Sequence, residues 1–375
     1  MPPAAAAEWM VTVKVGIVTF HASHNYGAML QAYALKKEVE RLGCDCRIIN
    51  YKNDRVVKDY AIFKFKNVGF KPLIRTCMNV FVYRFLKQRW DKFEKFAAEQ
   101  LNLTERYKTV DEMQKANLDF DALICGSDQV WNPNGRVDAV YMLDFCNNKN
   151  IRRISYAPSF GNEVIPKERL EEYRNNIMNI DFLSARETTG ANIIKALTER
   201  SAKVVVDPVF FCSKSDWDNS FKGMKIKQPY ILCYFLALTE GIQKTIDHIK
   251  KMTNYQVVLI LDGYYSRISA DIIIRNAGPE DFISLFSGAA FILTTSFHGT
   301  AFSIINRKPF LSLASSNSHV RVTDLLTKIN LSERYFSANN TFNDDLLIIN
   351  YDHVESILNE FIFESKEYLK ESLKT

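Results

Sequence analysis

The stretch Val15-Gly16-Ile17-Val18-Thr19-Phe20, followed by the loop His21–Tyr26, the segment Gly27–Leu42 and the run Cys46-Arg47-Ile48-Ile49-Asn50, decides the fold class. The first run is apolar on both faces, as a strand buried on both sides of a sheet must be. From Gly27 the apolar positions Met29, Leu30, Tyr33, Ala34, Leu35, Val39 and Leu42 recur with a helical period, and Gly43 stops them. A second β-rich run follows at once. Strand, helix, strand is the opening unit of a doubly wound parallel sheet.

Outward from this unit the pattern repeats. Strands are expected at 122–125, 153–156, 182–185 and 204–206, with helices at 167–178 and 188–197 between them. A polar stretch at 213–228 reads as a linker. A second α/β series then begins at Tyr230-Ile231-Leu232-Cys233-Tyr234-Phe235 and runs through strands at 257–261, 271–274, 291–294 and 310–313. An amphipathic helix closes the chain at about 352–373. The expected class is α/β: two Rossmann-like lobes in a GT-B-like arrangement, with an interlobe cleft and a C-terminal helix. The expected boundaries are 11–212 for the N-terminal lobe, with a basic, aromatic helical insertion at 60–100, then 213–228 for the linker, 229–350 for the C-terminal lobe and 351–375 for the helix. Residues 1–10 read as a tag or disordered end, with Met10 a natural start.

Composition removes several function classes. The chain has 375 residues, 47% hydrophobic and 24% charged, which excludes intrinsic disorder. A net charge of +5 is too small to mark a dedicated nucleic-acid binder. The 7 cysteines contain no C-x-x-C pair and sit beside apolar runs, as buried free thiols of a reducing compartment do. The charge is unevenly spread. Lys64–Lys95 carries nine Lys or Arg against Asp91 and Glu94, interleaved with Phe65, Phe70, Phe81, Tyr83, Phe85, Trp90 and Phe93. This segment suits either an inserted helix pair packed on the N-terminal lobe or a surface that docks on anionic lipid.

Ligands of doubly wound sheets bind at the carboxyl ends of strands, and four loops there carry chemistry. The loop after the first strand leads through Asn25, an expected N-cap, to Tyr26 and Gly27, where a helix N-terminus faces the loop. Cys125-Gly126-Ser127-Asp128-Gln129-Val130-Trp131-Asn132-Pro133 puts Ser127, Asp128, Gln129 and Trp131 after another strand. Arg186, in Ser184-Ala185-Arg186-Glu187, stands where a guanidinium grips a carboxylate or phosphate. Thr294-Thr295-Ser296-Phe297-His298-Gly299-Thr300 joins a buried strand to a buried helix. Its Ser296, Gly299 and Thr300 suit an anion, with His298 beside it as acid or base. Asp119-Phe120-Asp121 and Asp216-Trp217-Asp218 spell the D-x-D of metal-dependent glycosyltransferases but fall away from carboxyl strand ends, so no metal is expected.

Asn25-Tyr26-Gly27-Ala28 with Leu30-Gln31-Ala32-Tyr33-Ala34-Leu35 resembles the polysaccharide pyruvyl transferase family. So do, in order, Gly126–Asn132, Ser155–Gly161, Ser184–Glu187, Asp207-Pro208 and Ser296–Gly299. The resemblance spans about 14 to 313. It implies phosphoenolpyruvate as co-substrate, no separate cofactor, and a lipid-linked or nucleotide-linked sugar acceptor. The product is a pyruvate ketal on a surface-polysaccharide precursor. The family's arginine matches Arg186 and its Ser-x-His-Gly histidine matches His298. Its lysine contacts to the donor have no match here.

On that basis Arg186 and His298 are the expected catalytic residues, with Asp128 a base toward the acceptor and Trp131 stacking on the sugar. The helix start at Gly299 is expected to hold the second anion. The expected location is cytoplasmic, peripheral at the inner face of the membrane through 64–95. The competing reading is a sialyltransferase-like GT-B glycosyltransferase using a sugar nucleotide. A third reading is a non-catalytic sugar-binding subunit, which would require a degraded site.

Overall fold

β1 (Lys14–Val18) lies at the centre of the first sheet because Val15, Ile17 and Val18 are fully buried between helices on both faces. A computed structural model describes residues 12–52, 71–116, 118–134, 138–261, 266–315, 319–337 and 344–374, with backbone only for 71–81 and 344. The expected tag or disordered end at 1–10, and the part of the basic insertion before residue 71, lie outside the described residues.

The first sheet adds β2 (Asp45–Tyr51), β3 (Leu103–Tyr107), β4 (Ala122–Cys125) and β5 (Arg152–Ser155), in the order β3-β2-β1-β4-β5. Every neighbouring pair is parallel. A short pair, β6 (Ser184–Ala185) and β7 (Lys203–Val204), continues beyond β5 through the Ile154–Phe182 bridge. The second sheet comprises β8 (Tyr230–Tyr234), β9 (Gln256–Ile260), β10 (Ile272–Ile274), β11 (Phe291–Thr294), β12 (Phe310–Leu313) and β13 (Tyr335–Phe336), in the order β10-β9-β8-β11-β12-β13. It too is parallel throughout. Each sheet changes winding direction once, between β1 and β4 and between β8 and β11. Those are the switch points at which such sheets bind ligands.

The helices are α1 (Tyr26–Arg41), α2 (Lys71–Gln100), α3 (Val110–Lys115), α4 (Leu170–Met178), α5 (Thr188–Thr198), α6 (Lys214–Ser220), α7 (Ile242–Thr253), α8 (Pro279–Gly288), α9 (Phe297–Ile305), α10 (His319–Lys328) and α11 (Tyr351–Leu373). Asn25 starts α1: its backbone is extended and its side chain accepts from Ala28 N at 3.2 Å. Gly43, at φ +85°, ends the turn that follows.

One hydrophobic cluster runs through both lobes, from Ile17 and Leu35 to Phe282 and Phe302. Tyr26 is its seam. Its ring stacks on Phe282 at 4.7 Å and its hydroxyl donates to Ala277 O at 2.9 Å. The expected linker is therefore no free tether. Residues 213–220 form a capping-box helix whose Trp217 packs against Tyr33 and Phe302. α11 returns to the N-terminal lobe, where Tyr368 Oη donates to Ser155 O at 3.0 Å and Ser365 Oγ accepts from Val206 N at 3.0 Å.

The aromatic half of α2 is mostly structural. Phe93 and Phe96 are buried, and Arg89 donates to His24 O at 2.8 Å. Glu94 accepts from His24 at 2.9 Å, which is the main reason its carboxyl is lowered to about 2. Lys92 reaches Asp281 of the C-terminal lobe at 2.6 Å. Tyr83 and Phe85 remain exposed. Among the described residues no helix is long and apolar enough to cross a membrane. The six cysteines with described side chains are free.

Candidate active site

Asp207 follows β7 and is 1% exposed. Its Oδ2 accepts from Arg186 Nη1 at 2.7 Å and from Ser127 Oγ at 2.9 Å, and its Oδ1 accepts from Val209 N at 3.1 Å. His298 Nε2 stands 3.5 Å from the same Oδ2. Burial alone would raise the Asp207 carboxyl. The His298 ring and the Arg186 guanidinium outweigh it and hold the group well below the usual carboxylate range. Four separate strand ends thus converge on one carboxylate: β4 brings Ser127, β6 brings Arg186, β7 brings Asp207 and β11 leads to His298.

Arg186 uses only part of its fork. Nη1 is bonded, with Ser127 Oγ also at 3.4 Å, while buried Nε and Nη2 have no hydrogen-bond partner. Phe297 covers its face at 4.5 Å. Two carboxylates stand just out of reach, Asp128 Oδ1 at 3.8 Å from Nη2 and Glu187 Oε2 at 3.9 Å from Nε. Glu187 accepts from Ser159 Oγ at 2.9 Å through its other oxygen, and burial pushes its carboxyl up. Asp128 is held at φ +86°, a left-handed backbone that costs a non-glycine residue on the order of 1 kcal/mol or more. Its Oδ1 accepts from Gln129 N at 2.8 Å. A buried Nε/Nη2 edge without hydrogen bonds of its own is the side-on fork that binds a carboxylate or two phosphate oxygens.

His298 is the second residue of α9. Ser296 caps this helix, accepting from Gly299 N at 3.3 Å. The His298 ring lies flat against the start of α1, so that a Cβ on Gly27 would overlap it. Gly27 is therefore a packing requirement between lobes. His298 Nε2 has no hydrogen-bond partner within normal reach.

A cleft of about 450 Å³ is lined by Gly161, Asn162 and Glu163 on one side and Ser315, His319 and Tyr335 on the other. His319 Nδ1 and Tyr335 Oη are 2.8 Å apart. Arg321 of α10 lies against the Gln129 amide, whose oxygen is its acceptor.

The structure gathers Ser127, Arg186, Gly27, Ser296 and His298, with Asp128 and Gln129 at the rim. It corrects three expectations. Trp131 is 0% exposed, its Nε1 donating to Tyr141 O at 3.0 Å and its ring against Phe160. It is core, and no sugar reaches it. Thr300 is equally buried, its hydroxyl shared with Ser296 O and Ser312. The amides of Gly299 and Thr300 are already bonded to Ser296, at 3.3 and 2.9 Å, so they do not hold an anion. Asn25 and Tyr26 serve as cap and seam. Asp207, Glu187 and Arg321 were not picked out as site residues. Asp207 had a signal in its strand-end position. Arg321 had none, because only tertiary packing takes α10 across the cleft. The D-x-D pairs are structural: Asp121 accepts from Lys14 N at 2.8 Å, Asp119 pairs with Lys14 Nζ, and Asp216 closes the capping box of α6.

A family model for polysaccharide pyruvyl transferase matches residues 25–317. The chain belongs to that family. The match takes in both lobes and every residue of the Asp207 cluster, so the protein is a transferase of this family with a GT-B fold. A proposed UDP-N-acetylglucosamine 2-epimerase from Listeria monocytogenes is similar in fold, at 11% identity and TM-score 0.50, covering 96% of this chain and 91% of that one. The UDP-GlcNAc 2-epimerase from Neisseria meningitidis gives 11% identity and TM-score 0.48, covering 94% and 100%. The Escherichia coli heptosyltransferase WaaC gives 8% and 0.41, covering 93% and 100%. At such identities the likeness concerns the fold alone. No curated protein matches the chain in sequence.

Proposed function

We propose that this transferase moves pyruvate from phosphoenolpyruvate onto two hydroxyls of a sugar, as a ketal, in surface-polysaccharide biosynthesis. The observation that carries the reading is the buried Nε/Nη2 edge of Arg186 beside His298, which has no hydrogen-bond partner although Asp128 and Glu187 stand 3.8 and 3.9 Å from it. A cation with an open fork, shielded from water, fits a small planar carboxylate better than bulk solvent does.

In the proposed reaction C3 of phosphoenolpyruvate gains a proton and C2 gains a sugar oxygen. The C2–O bond to phosphate then breaks, and a second sugar oxygen takes its place. One hydroxyl proton is balanced by the proton gained at C3 and the other leaves with phosphate. Arg186 fixes the donor carboxylate. His298 moves a proton at Nε2, and Asp207 holds the imidazole and the guanidinium in register. Asp128 is the base toward the acceptor, which enters through the cleft. No protein-bound cofactor enters this scheme.

The test is phosphate release from phosphoenolpyruvate with a panel of lipid-linked and nucleotide-linked sugars, read with product mass. Phosphate released together with a pyruvate-bearing sugar is expected. Stabilisation by a sugar nucleotide with no response to phosphoenolpyruvate would favour the glycosyltransferase reading instead.

We place the enzyme at an anionic membrane surface through the exposed part of α2. Tyr83, Arg84, Phe85 and Lys87 face solvent there, while Arg89 and Lys92 are taken up by the body and contribute little. At roughly 1 kcal/mol per basic residue near the surface, this patch gives weak, salt-sensitive binding. Co-sedimentation with phosphatidylserine-containing vesicles is expected to fall several-fold on Arg84→Glu with Phe85→Ser. Equal recovery of variant and wild type, or none of either at low salt, would dismiss the surface.

A further inference from the structure

Helix α5 opens two residues after Arg186, and its first amide is capped from the opposite lobe. A helix start leaves N–H groups that the side chain of the preceding residue ordinarily accepts. Glu187 stands in that place, extended at φ −123° and ψ 153°, yet its side chain makes no cap bond. Its Oε1 instead accepts from Ser159 Oγ at 2.9 Å and from Phe160 N at 3.2 Å. The acceptor for Thr188 N is Asp324 Oδ1 of α10, at 3.2 Å and 136 residues along the chain. Lys328, one turn further along α10, pairs with Asp324 Oδ2 and donates to Thr188 Oγ1 at 2.8 Å. Val322, Leu325 and Leu326 seat another face of α10 in the core. The polar groups of Asp324 and Lys328 are thus spent on α5 and on each other. Their side chains are 17% and 27% exposed, so as an ion pair they add little stability, and what they fix is a position.

We propose that Asp324 is a positioning residue for Arg186, holding the Arg186–Glu187 turn from the opposite lobe through the cap on α5. The proposal rests on the reading of Arg186 as the donor-binding group. With α10 seated, Asp324 takes the first amide of α5 and leaves Glu187 on Ser159 and Phe160, with its other oxygen 3.9 Å from Arg186 Nε. With α10 withdrawn, Thr188 N loses that acceptor, and Glu187 is the nearest carboxylate in sequence to replace it. Glu187 then leaves Ser159, and the turn that carries Arg186 shifts with it. The competent site is one of two states, and its population depends on how firmly α10 caps α5. Any shortfall in that population weakens the apparent affinity for the donor by the same factor.

The test compares wild type, Asp324→Ala and Asp324→Asn. Three quantities are measured: amide hydrogen exchange at the start of α5 without ligand, global melting, and the apparent Kd for phosphoenolpyruvate by calorimetric titration. In the alanine variant the first-turn amides exchange about fivefold to tenfold faster, and the apparent Kd rises by a similar factor. Melting hardly moves. Asparagine caps a helix about as well as aspartate, so the asparagine variant restores most of both. A merely structural aspartate would instead lower melting and the fraction of binding-competent protein, leaving the Kd of that fraction where it was. Unchanged exchange in the alanine variant would overturn the proposal. So would a wild-type Kd in a variant whose α5 exchanges faster, and in either case the reaction stands. Faster exchange rescued by asparagine, in a protein that binds no phosphoenolpyruvate, would uphold the hold of α10 on the Arg186 turn and sink the donor reading.

Discussion

Replacing Asp207 by alanine is expected to cost about 3–5 kcal/mol of stability and to cut turnover by two orders of magnitude or more. The stability loss follows from leaving a fully buried guanidinium without its carboxylate. Arg186 Nη1 and Ser127 Oγ would lose their acceptor together, at 2.7 and 2.9 Å, and His298 its neighbour at 3.5 Å. The loss of activity follows because Asp207 sets where both the cation and the proton-transfer ring stand. Asparagine keeps the shape but not the charge, so Asp207→Asn should retain more stability than Asp207→Ala and still lose most activity.

The same carboxylate has a pH signature. Its folded pKa lies below its unfolded one, so its contribution is complete above the unfolded value of about 3.9 and is lost as pH falls through the lower folded value. Glu187 acts in the other direction. Its raised pKa favours the protonated fold and withdraws stability as pH rises through that value. Denaturant unfolding from pH 3 to 7 should therefore show a shallower acid slope in Asp207→Asn than in wild type. Equal slopes would remove Asp207 as the charged centre.

Gly27→Ala is the second large effect. The added methyl would overlap the His298 ring, and the residue it joins opens a helix that packs on both lobes. His298 must then leave its place, and turnover should fall by about 10²- to 10⁴-fold, the range lost with a general acid or base. Overpacking adds a cost of about 1–3 kcal/mol. The decisive comparison is the double variant. With His298→Ala already present the methyl has room, so Gly27→Ala should then change neither melting nor the residual rate. Additive losses would mean that Gly27 acts through something other than the histidine.

Much of this site was legible before any fold was known, and for a physical reason. Arg186 and His298 each follow an apolar strand by a residue or a few, in loops rich in Gly, Ser and Thr, and such positions must project from a carboxyl strand end. Asn25 is readable as a cap because an extended residue with a short acceptor side chain has few other uses before an apolar helix, whereas Ser296, expected at an anion, caps α9. Trp131 misled because a loop aromatic next to Asp and Gln looks like a platform. Its burial depends on Tyr141 and Phe160, which lie far enough along the chain that no local signal marks them. β3 was missed since Leu103-Thr104-Glu105-Arg106-Tyr107 is an edge strand, with one side free to be polar. β13 has two residues, too few to show a period, whereas α10 carries Val322, Leu325 and Leu326 at helical spacing, a signal the sequence does hold.

The sequence by itself determined the alternation of strands and helices, the two lobes, the family and which loops stand at carboxyl strand ends. Those properties follow from local periodicity and from where a strand must stop. Only the tertiary structure decided that Asp207 is the centre on which four loops close, that Gly27 is the floor under His298, and that Arg321 of the other lobe meets the Gln129 amide. These are long-range placements, and the burial that fixes their charges exists only after both sheets have packed.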